Sequence, residues 1–304
     1  MKQFLIIVKR NVKMYFKDKG LFISSLITPV LLLVLYATFL AKVYKDSFTN
    51  ALPEGLNVAE KLIDGCVGGE LLSSLLAVCT VTVAFCSNII MIQDKYLSGI
   101  KDFDISPVRR SKIASGYLTA AFISSLIVCF ITCALGFIYL AVTGWYLSFT
   151  DVLLIFADVF LLSLLGTALS SIVFTFLSTQ GQASAAGTIV SAGYGFLCGA
   201  YMPISSFGAG LQKVLSFLPG TYGTSLVRNH SLNGVFAEMS NIGFPPEVVE
   251  KIKDSIDCNL YFFGNKVETW QMYLILALTD LILVGLFVLV TALRSKEKRR
   301  NRTA

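Results

Sequence analysis

Long apolar runs alternate with short, charge-dense polar stretches along this chain, and the lengths of the runs predict its elements. Six runs lie near 21–41, 69–92, 113–143, 151–177, 184–201 and 270–293. A helix crosses a hydrocarbon core of about 30 Å with about 20 apolar residues, whereas a barrel strand needs only about 9–11. Backbone polar groups in lipid must be satisfied within their own segment, so runs of this length read as transmembrane helices. The expected fold class is an all-α membrane protein with six transmembrane helices. Its parts are an N-terminal interfacial amphipathic helix over 1–20, one membrane domain over 21–293 and a basic tail over 294–304.

The polar stretches carry their own patterns. At 100° per residue, Phe4, Leu5, Val8, Val12, Tyr15 and Phe16 share one arc, while Lys2, Lys9, Arg10, Lys13 and Lys17 share the other. Such a helix lies in the headgroup layer, either as a plain anchor or as a relay for motion from a partner. Pro29 interrupts the first run and removes one backbone hydrogen bond there. In the fifth run Gly187, Ser191, Gly195 and Gly199 recur every fourth residue. That stripe lets another helix approach closely, from the same subunit or from a second copy.

The segment 202–269 begins "MPISSFGAGLQKVLSFLPGTYGTSLVRNHSLNG". It is too apolar for a free loop and too broken by Pro203, Gly208, Gly210, Pro219 and Gly220 to span, which predicts a re-entrant helix pair covered by protein. Pro245 and Pro246 then open a short amphipathic helix, so 202–269 is expected to form a small outer cap before the last span.

Composition sharpens this picture. Hydrophobic residues make up 55% of the 304 and charged residues only 14%, against about 25% charged in soluble domains. Of the 25 Lys and Arg residues, 17 fall in the N-terminal helix, in 93–112 and in the tail. Under the positive-inside rule both termini and the 93–112 loop are therefore expected in the cytoplasm. The net charge of +6 is then a topology signal and not a nucleic-acid footprint. A charged stretch of about 20 residues precedes a full-length apolar run, so the first span is expected to stay in the mature protein.

Catalytic chemistry is hard to find. The single histidine is His230, in the outer segment, and no Walker A, H-E-x-x-H, C-x-x-C or G-x-S-x-G pattern occurs. The chain is thus expected to be no enzyme and to hold no metal. Cys79, Cys86, Cys129, Cys133 and Cys198 lie within spans as small apolar residues, while Cys66 and Cys258 both fall on the expected oxidising side and are candidates for a disulfide. Glu70 and Asp151 sit near the outer boundary. Asp158 lies about 12 Å down the fourth helix and Asp280 about 16 Å down the sixth, where ionisable groups are costly. Both are candidates for a substrate pathway, with a neutral or hydrogen-bonded structural role as the alternative.

The stretch "QDKYLSGIKDFDISPVRRSK" between the second and third runs packs Asp94, Lys95, Lys101, Asp102 and Asp104 around Ile100, Phe103 and Ile105. Alternating charges with apolar anchors suit a partner groove, although a solvated turn would also be charged. Its "LSG" at Leu97 to Gly99 lacks the Walker A sequence that accompanies a nucleotide-contacting signature.

With these residues in view, the chain resembles the permease subunits of type-2 ATP-binding-cassette exporters, in their drug-exporter branch. The resemblance rests on the basic amphipathic helix before the first span and on Asp94, Gly99, Ser106, Pro107, Arg109 and Arg110 in the loop. It rests also on Gly199, Pro203, Leu211, Leu215, Pro219, Tyr222 and Arg228 around "PGTYG". It implies a homodimer or heterodimer of permeases in a bacterial plasma membrane, each engaging a separate ATPase subunit that binds ATP and Mg. No cofactor would sit in this chain. The loop would be a cytoplasmic coupling helix, with Asp94, Lys95, Gly99, Lys101, Asp102, Phe103, Asp104, Pro107 and Arg109 as partner-coupling residues. Pro203, Pro219 and Tyr222 would mark the outer re-entrant element. The expected cargo is a small amphipathic drug, a lipid or a hydrophobic peptide. Alternatives are a permease for polysaccharide or teichoic-acid precursors, a proton- or ion-coupled secondary transporter using Asp158 and Asp280, and a protein that binds its ligand without moving it.

Overall fold

The computed structural model describes residues 2–42, 45, 59–97 and 108–303. Helix α1, Lys2–Lys17, turns Ile7, Val8, Asn11 and Tyr15 inward and its lysines outward. Asp18 separates it from α2, Lys19–Leu35, by accepting the Leu21 amide at 3.1 Å, which satisfies one of the free donors of the new helix. Helix α2 contains Pro29 and passes into a π-helical turn, Tyr36–Leu40.

The second run begins nine residues earlier than expected. Helix α3, Glu60–Ser87, opens with Glu60 and Asp64 around the Lys45 ammonium at 2.6 and 3.1 Å, so its polar first turn is held by charge pairing. Asn88, at φ −79° and ψ −7°, interrupts the run, and α4, Ile89–Tyr96, follows it. Helix α5, Arg110–Thr143, ends at Gly144. Helix α6, Phe149–Phe176, starts with a capping box in which Ser148 and Asp151 satisfy each other's amides. Thr179 and Gln182 do the same for α7, Gln180–Leu197.

A 3₁₀ turn, Ile204–Ser206, and α8, Ala209–Leu215, lead into α9, Pro219–Asn241, which Pro219 opens with its fixed φ. Helix α10, Pro246–Ser255, and an antiparallel hairpin of β1, Leu260–Phe262, and β2, Asn265–Val267, precede α11, Thr269–Thr303. The hairpin has no counterpart in the apolar pattern, because strands of three residues are too short to show alternation.

Helix α3 is the axis of the bundle, packed by α2, α5, α6, α7 and α9. Its apolar stretch is 89% buried, against 17% for that of α11, which places α11 at the rim of the bundle. Among the described residues, five helices are long and apolar enough to cross a membrane: Lys19–Thr38, Glu60–Tyr96, Arg110–Thr143, Phe149–Phe176 and Thr269–Arg294. The run expected at 184–201 forms α7, whose 18 residues rise about 27 Å but start with the polar Gln180 and Gln182.

Both termini of the bundle share one end. Arg10 on α1 reaches Asp94 on α4, Lys95 reaches the Phe174 and Leu177 carbonyls at 2.5 and 2.9 Å, and Arg294 on α11 reaches the Thr175 carbonyl at 2.6 Å. The cap formed by 199–268 closes the opposite end.

Candidate functional site

Three polar constructions interrupt the apolar core, and the first lies at the end that carries the termini. Asn88 at the α3–α4 break donates to the Ser170 and Ser171 hydroxyls of α6, both at 2.7 Å, while Ser87 donates to the Ala121 carbonyl of α5 at 3.1 Å. With the break pinned on two sides, α4 carries Asp94 into a buried position. The guanidinium of Arg10 grips its carboxylate with two parallel bonds of 2.7 and 2.9 Å, and the Tyr117 hydroxyl of α5 donates to the same carboxylate. The Arg10 hydrogen bonding to Asp94 is the main reason the guanidinium is held above its ordinary pKa. Asp94 therefore ties α4 and α5, the two helices that flank residues 98–107, both to each other and to α1.

Lys95 is spent on the carbonyls that end α6, a favourable place for a cation at a helix C-terminus. Asp94 and Lys95, expected to face a partner, thus turn their side chains into the chain. Arg109 is exposed at the N-cap of α5. Gly99, Lys101, Asp102, Phe103, Asp104 and Pro107 lie outside the described residues.

The second construction is inside the bundle. Asp158 on α6 is fully buried, and the His230 Nδ1 approaches its Oδ2 at 2.6 Å while the Tyr273 hydroxyl donates to its Oδ1 at 2.6 Å. The imidazole and the Tyr273 ring stack with centroids 6.1 Å apart, so α6, α9 and α11 meet at one carboxylate. His230, placed in the outer segment by the sequence, is buried in the bundle: α9 buries Gly220 to Arg228 and then passes Asp158 at His230 and Asp151 at Asn233, running toward the N-terminal end of α6. The deep Asp158 was the one sequence signal that called for such a partner. Asp280, also buried, lies about 10 Å further along α11 than Tyr273, and neither of its carboxylate oxygens has a hydrogen-bond partner. No hydrogen bond joins it to Asp158.

The third construction joins the cap to the bundle. Arg228, only 1% exposed, donates to the Ser73 and Ser74 hydroxyls of α3 at 3.3 Å each, to the Gly199 carbonyl at 3.0 Å and to the Ile256 carbonyl at 2.7 Å. Asp257 stands 3.8 Å away and receives the Ile204 and Ser205 amides at 2.5 and 3.2 Å. Burial pushes the Asp257 carboxyl above its ordinary pKa, and the Arg228 charge pulls it part of the way back. Gly199 sits at φ +75°, a conformation that suits glycine, and a side chain there would press on Asp257 and Ile204 at 3.1 Å. Arg228 was legible only as a motif landmark. Its role as a hub required the fold.

The remaining candidates distribute around this hub. Pro203 precedes the 3₁₀ turn, Pro219 opens α9, and the Tyr222 hydroxyl donates to the Ser216 carbonyl at 2.5 Å. Cys66 and Cys258 are free thiols in one apolar cluster with Leu232 and Met239. Burial pushes the Cys258 thiol up. Within the fifth-run stripe, Gly187 faces open space, Ser191 is half-buried and Gly195 packs under the Tyr201 ring. Glu70 is buried with its Oε1 unpartnered, and Asp151 accepts from Asn233 at 2.9 Å. Among the described residues no three His, Cys, Asp or Glu side chains converge to hold a metal ion.

Comparison with known proteins adds one match. The family described as ABC-2 type transporter matches residues 2–230, from α1 through α9 as far as His230, and so includes Asp94, Asp158 and Arg228. No curated protein and no solved structure matches.

Proposed function

The chain belongs to the ABC-2 type transporter family as a membrane-embedded permease subunit, and from that premise we propose that it exports a small amphipathic drug, lipid or hydrophobic peptide. The energy comes from ATP hydrolysed by a separate ATPase subunit. One observation carries the reading: the Arg10–Asp94–Tyr117 node clamps both helices that flank residues 98–107 onto the interfacial helix. A push on that loop from a closing ATPase pair then moves α1, α4 and α5 together instead of fraying a loose turn. Asp102, Phe103 and Asp104, on the loop itself, supply the partner contact, and Asp94 and Lys95 keep its roots rigid.

Orientation follows from charge. Seventeen of the 25 basic residues belong to segments at the end that carries the termini, which supports a cytoplasmic position for that end in a plasma membrane. The open face of α7 around Gly187 supports a dimer of permeases, since no described residue comes within 4 Å of a side chain placed there.

Purification of the intact permease with its membrane partners tests the proposal. Recovery of a Walker-motif ATPase that is lost on Phe103→Ala or Asp102→Lys is the expected result. A permease that transports fully with no ATPase bound would overturn it. Asp280, with two unpartnered oxygens in a span, favours a second reading as an ion- or proton-coupled transporter. Transport driven by an imposed gradient without ATP, and lost in Asp280→Asn, would establish that reading instead.

A further inference from the structure

Two cavities of about 510 and 520 Å³ lie side by side at the cap end, with Tyr222 forming a wall of both. The first opens between α8 and the hairpin, and Lys213, Tyr261 and Phe263 line it. The second runs from Phe262 past Trp270 to Leu274 and Ile275 on the first turns of α11. Helix α11 is the least covered of the candidate spans, so this second cavity opens on the side where acyl chains lie. Trp270 is exposed one residue into the helix, the depth at which indole rings mark the boundary between hydrocarbon and headgroups.

The charges of the first cavity are unequally committed. The Asp254 carboxylate takes the Asn259 amide at 2.8 Å and the Tyr261 hydroxyl at 3.0 Å. Asp257 takes two backbone amides and faces Arg228, while Lys266, at the second cavity, is drawn to Glu250 at 3.7 Å. Lys213 makes no ion pair among the described residues, and its ammonium stands 5.9 Å from the centre of the Phe263 ring. Around it Phe217, Phe262 and Phe263 pack edge to face with centroids 4.9 to 6.0 Å apart while staying exposed. One uncommitted cation beside an aromatic wall, continuous with an apolar slot that leads down a lipid-facing helix, is complementary to one kind of molecule.

We infer that this double cavity binds an amphipath with an anionic headgroup, an anionic phospholipid of the surrounding bilayer, with the headgroup at Lys213 and an acyl chain along Trp270, Leu274 and Ile275. The site is separate from the Arg10–Asp94 node and stands whether or not the chain is an exporter. A lipid seated there braces the hairpin and α8 against the head of α11.

The test uses the full-length protein in nanodiscs, in a Trp145→Phe background that leaves Trp270 as the one indole of the chain. Brominated phosphatidylglycerol is titrated against brominated phosphatidylcholine, with Trp270 quenching as the readout. The expected result is saturating quenching by the anionic lipid alone. One lysine near a lipid surface carries about a five-fold change in affinity, so Lys213→Ala should raise the half-saturating lipid fraction about five-fold, with recovery in Lys213→Arg. Equal, non-saturating quenching by both lipids would overturn the proposal, as would an unchanged titration in Lys213→Ala with an unaltered elution profile. Release of the quenching by millimolar inorganic phosphate would reassign the site to a free anion and overturn the lipid assignment.

Discussion

Arg10 and Asp94, 84 residues apart in sequence, meet through two parallel bonds of 2.7 and 2.9 Å. The carboxylate is buried while the Arg10 side chain keeps about a third of its surface in contact with solvent. A fork-to-fork pair of this kind fixes orientation as well as distance, which a lysine could not do. Arg10→Ala strands the Asp94 carboxylate with Tyr117 alone and should cost about 2 kcal/mol, the range for a hydrogen bond to a charged group, since solvent screens part of the pair. Asp94→Asn should cost less, because an amide oxygen still accepts from Tyr117. Thermal unfolding of the permease in nanodiscs reads both. In the assembled transporter, Arg10→Lys should leave ATPase binding intact while lowering cargo-stimulated ATP hydrolysis. Equal loss of binding and stimulation would mean that the pair only holds the fold.

Arg228 and Asp257 make a prediction with a definite pH sign. Burial raises the folded pKa of Asp257 above its unfolded value. A raised carboxyl contributes stability that is full below the unfolded pKa and is lost as pH climbs through the folded one. Arg228 limits that loss by favouring the carboxylate. Arg228→Gln should therefore be destabilised by several kcal/mol, as expected for a buried charge that loses its partner. Its deficit relative to the native chain should grow between about pH 5 and pH 8, where the unpartnered Asp257 is driven to ionise. Denaturation midpoints across that interval decide the matter, and a deficit that is flat with pH would separate the two residues.

Much of this architecture was legible in the apolar runs. A span announces itself by length, which a broken helix or a short strand does not. Asn88 reads as one polar residue in an apolar run, and only the Ser170 and Ser171 hydroxyls on α6 explain why the chain turns there. The hairpin Leu260–Val267 is set by its turn, where Phe263 at φ 50° and Gly264 at φ 89° reverse the chain. The site was legible as residue types and not as partnerships. Asp94 stood out as a charge beside a loop, but whether it faces a partner or Arg10 depends on α1 folding back across the bundle. His230 and Asp158 are 72 residues apart, and no local pattern joins them.

Asp158, His230 and Tyr273 should behave as one unit. Single substitutions Asp158→Asn and His230→Ala each remove the charge-assisted bond, so the double variant should cost little more than the worse single one. A coupling energy of about 1.5–3 kcal/mol is expected for a hydrogen bond to a charged group at a buried site. Tyr273→Phe should cost about 1 kcal/mol, since it deletes one donor and leaves His230 in place. Additive single effects in a double-mutant cycle would show that the imidazole and the carboxylate are merely neighbours.

Glycines on α6 and α7 separate packing within the chain from packing between copies. Gly166 lies where a Cβ would meet the Thr80 carbonyl oxygen and the Val81 Cα of α3, both at 2.9 Å. Backbone atoms on the central helix cannot swing aside, so Gly166→Ala should force α6 and α3 apart and cost about 1–3 kcal/mol in the isolated permease. A Cβ at Gly187 would have nothing within 4 Å among the described residues, and the nearby Gln182, Ser184 and Thr188 side chains are exposed on a helix that neighbours transmembrane spans. Polar and small residues on an uncovered membrane helix are the composition of a helix–helix contact. Gly187→Leu should therefore leave the unfolding midpoint of the monomer unchanged and lower the fraction of dimer. Mass measured by light scattering of the detergent-solubilised protein distinguishes the two effects. If Gly187→Leu remains as dimeric as the native chain, the dimer contact lies on another face. If Gly166→Ala is as stable as the native chain, α3 and α6 are not held at the distance seen here.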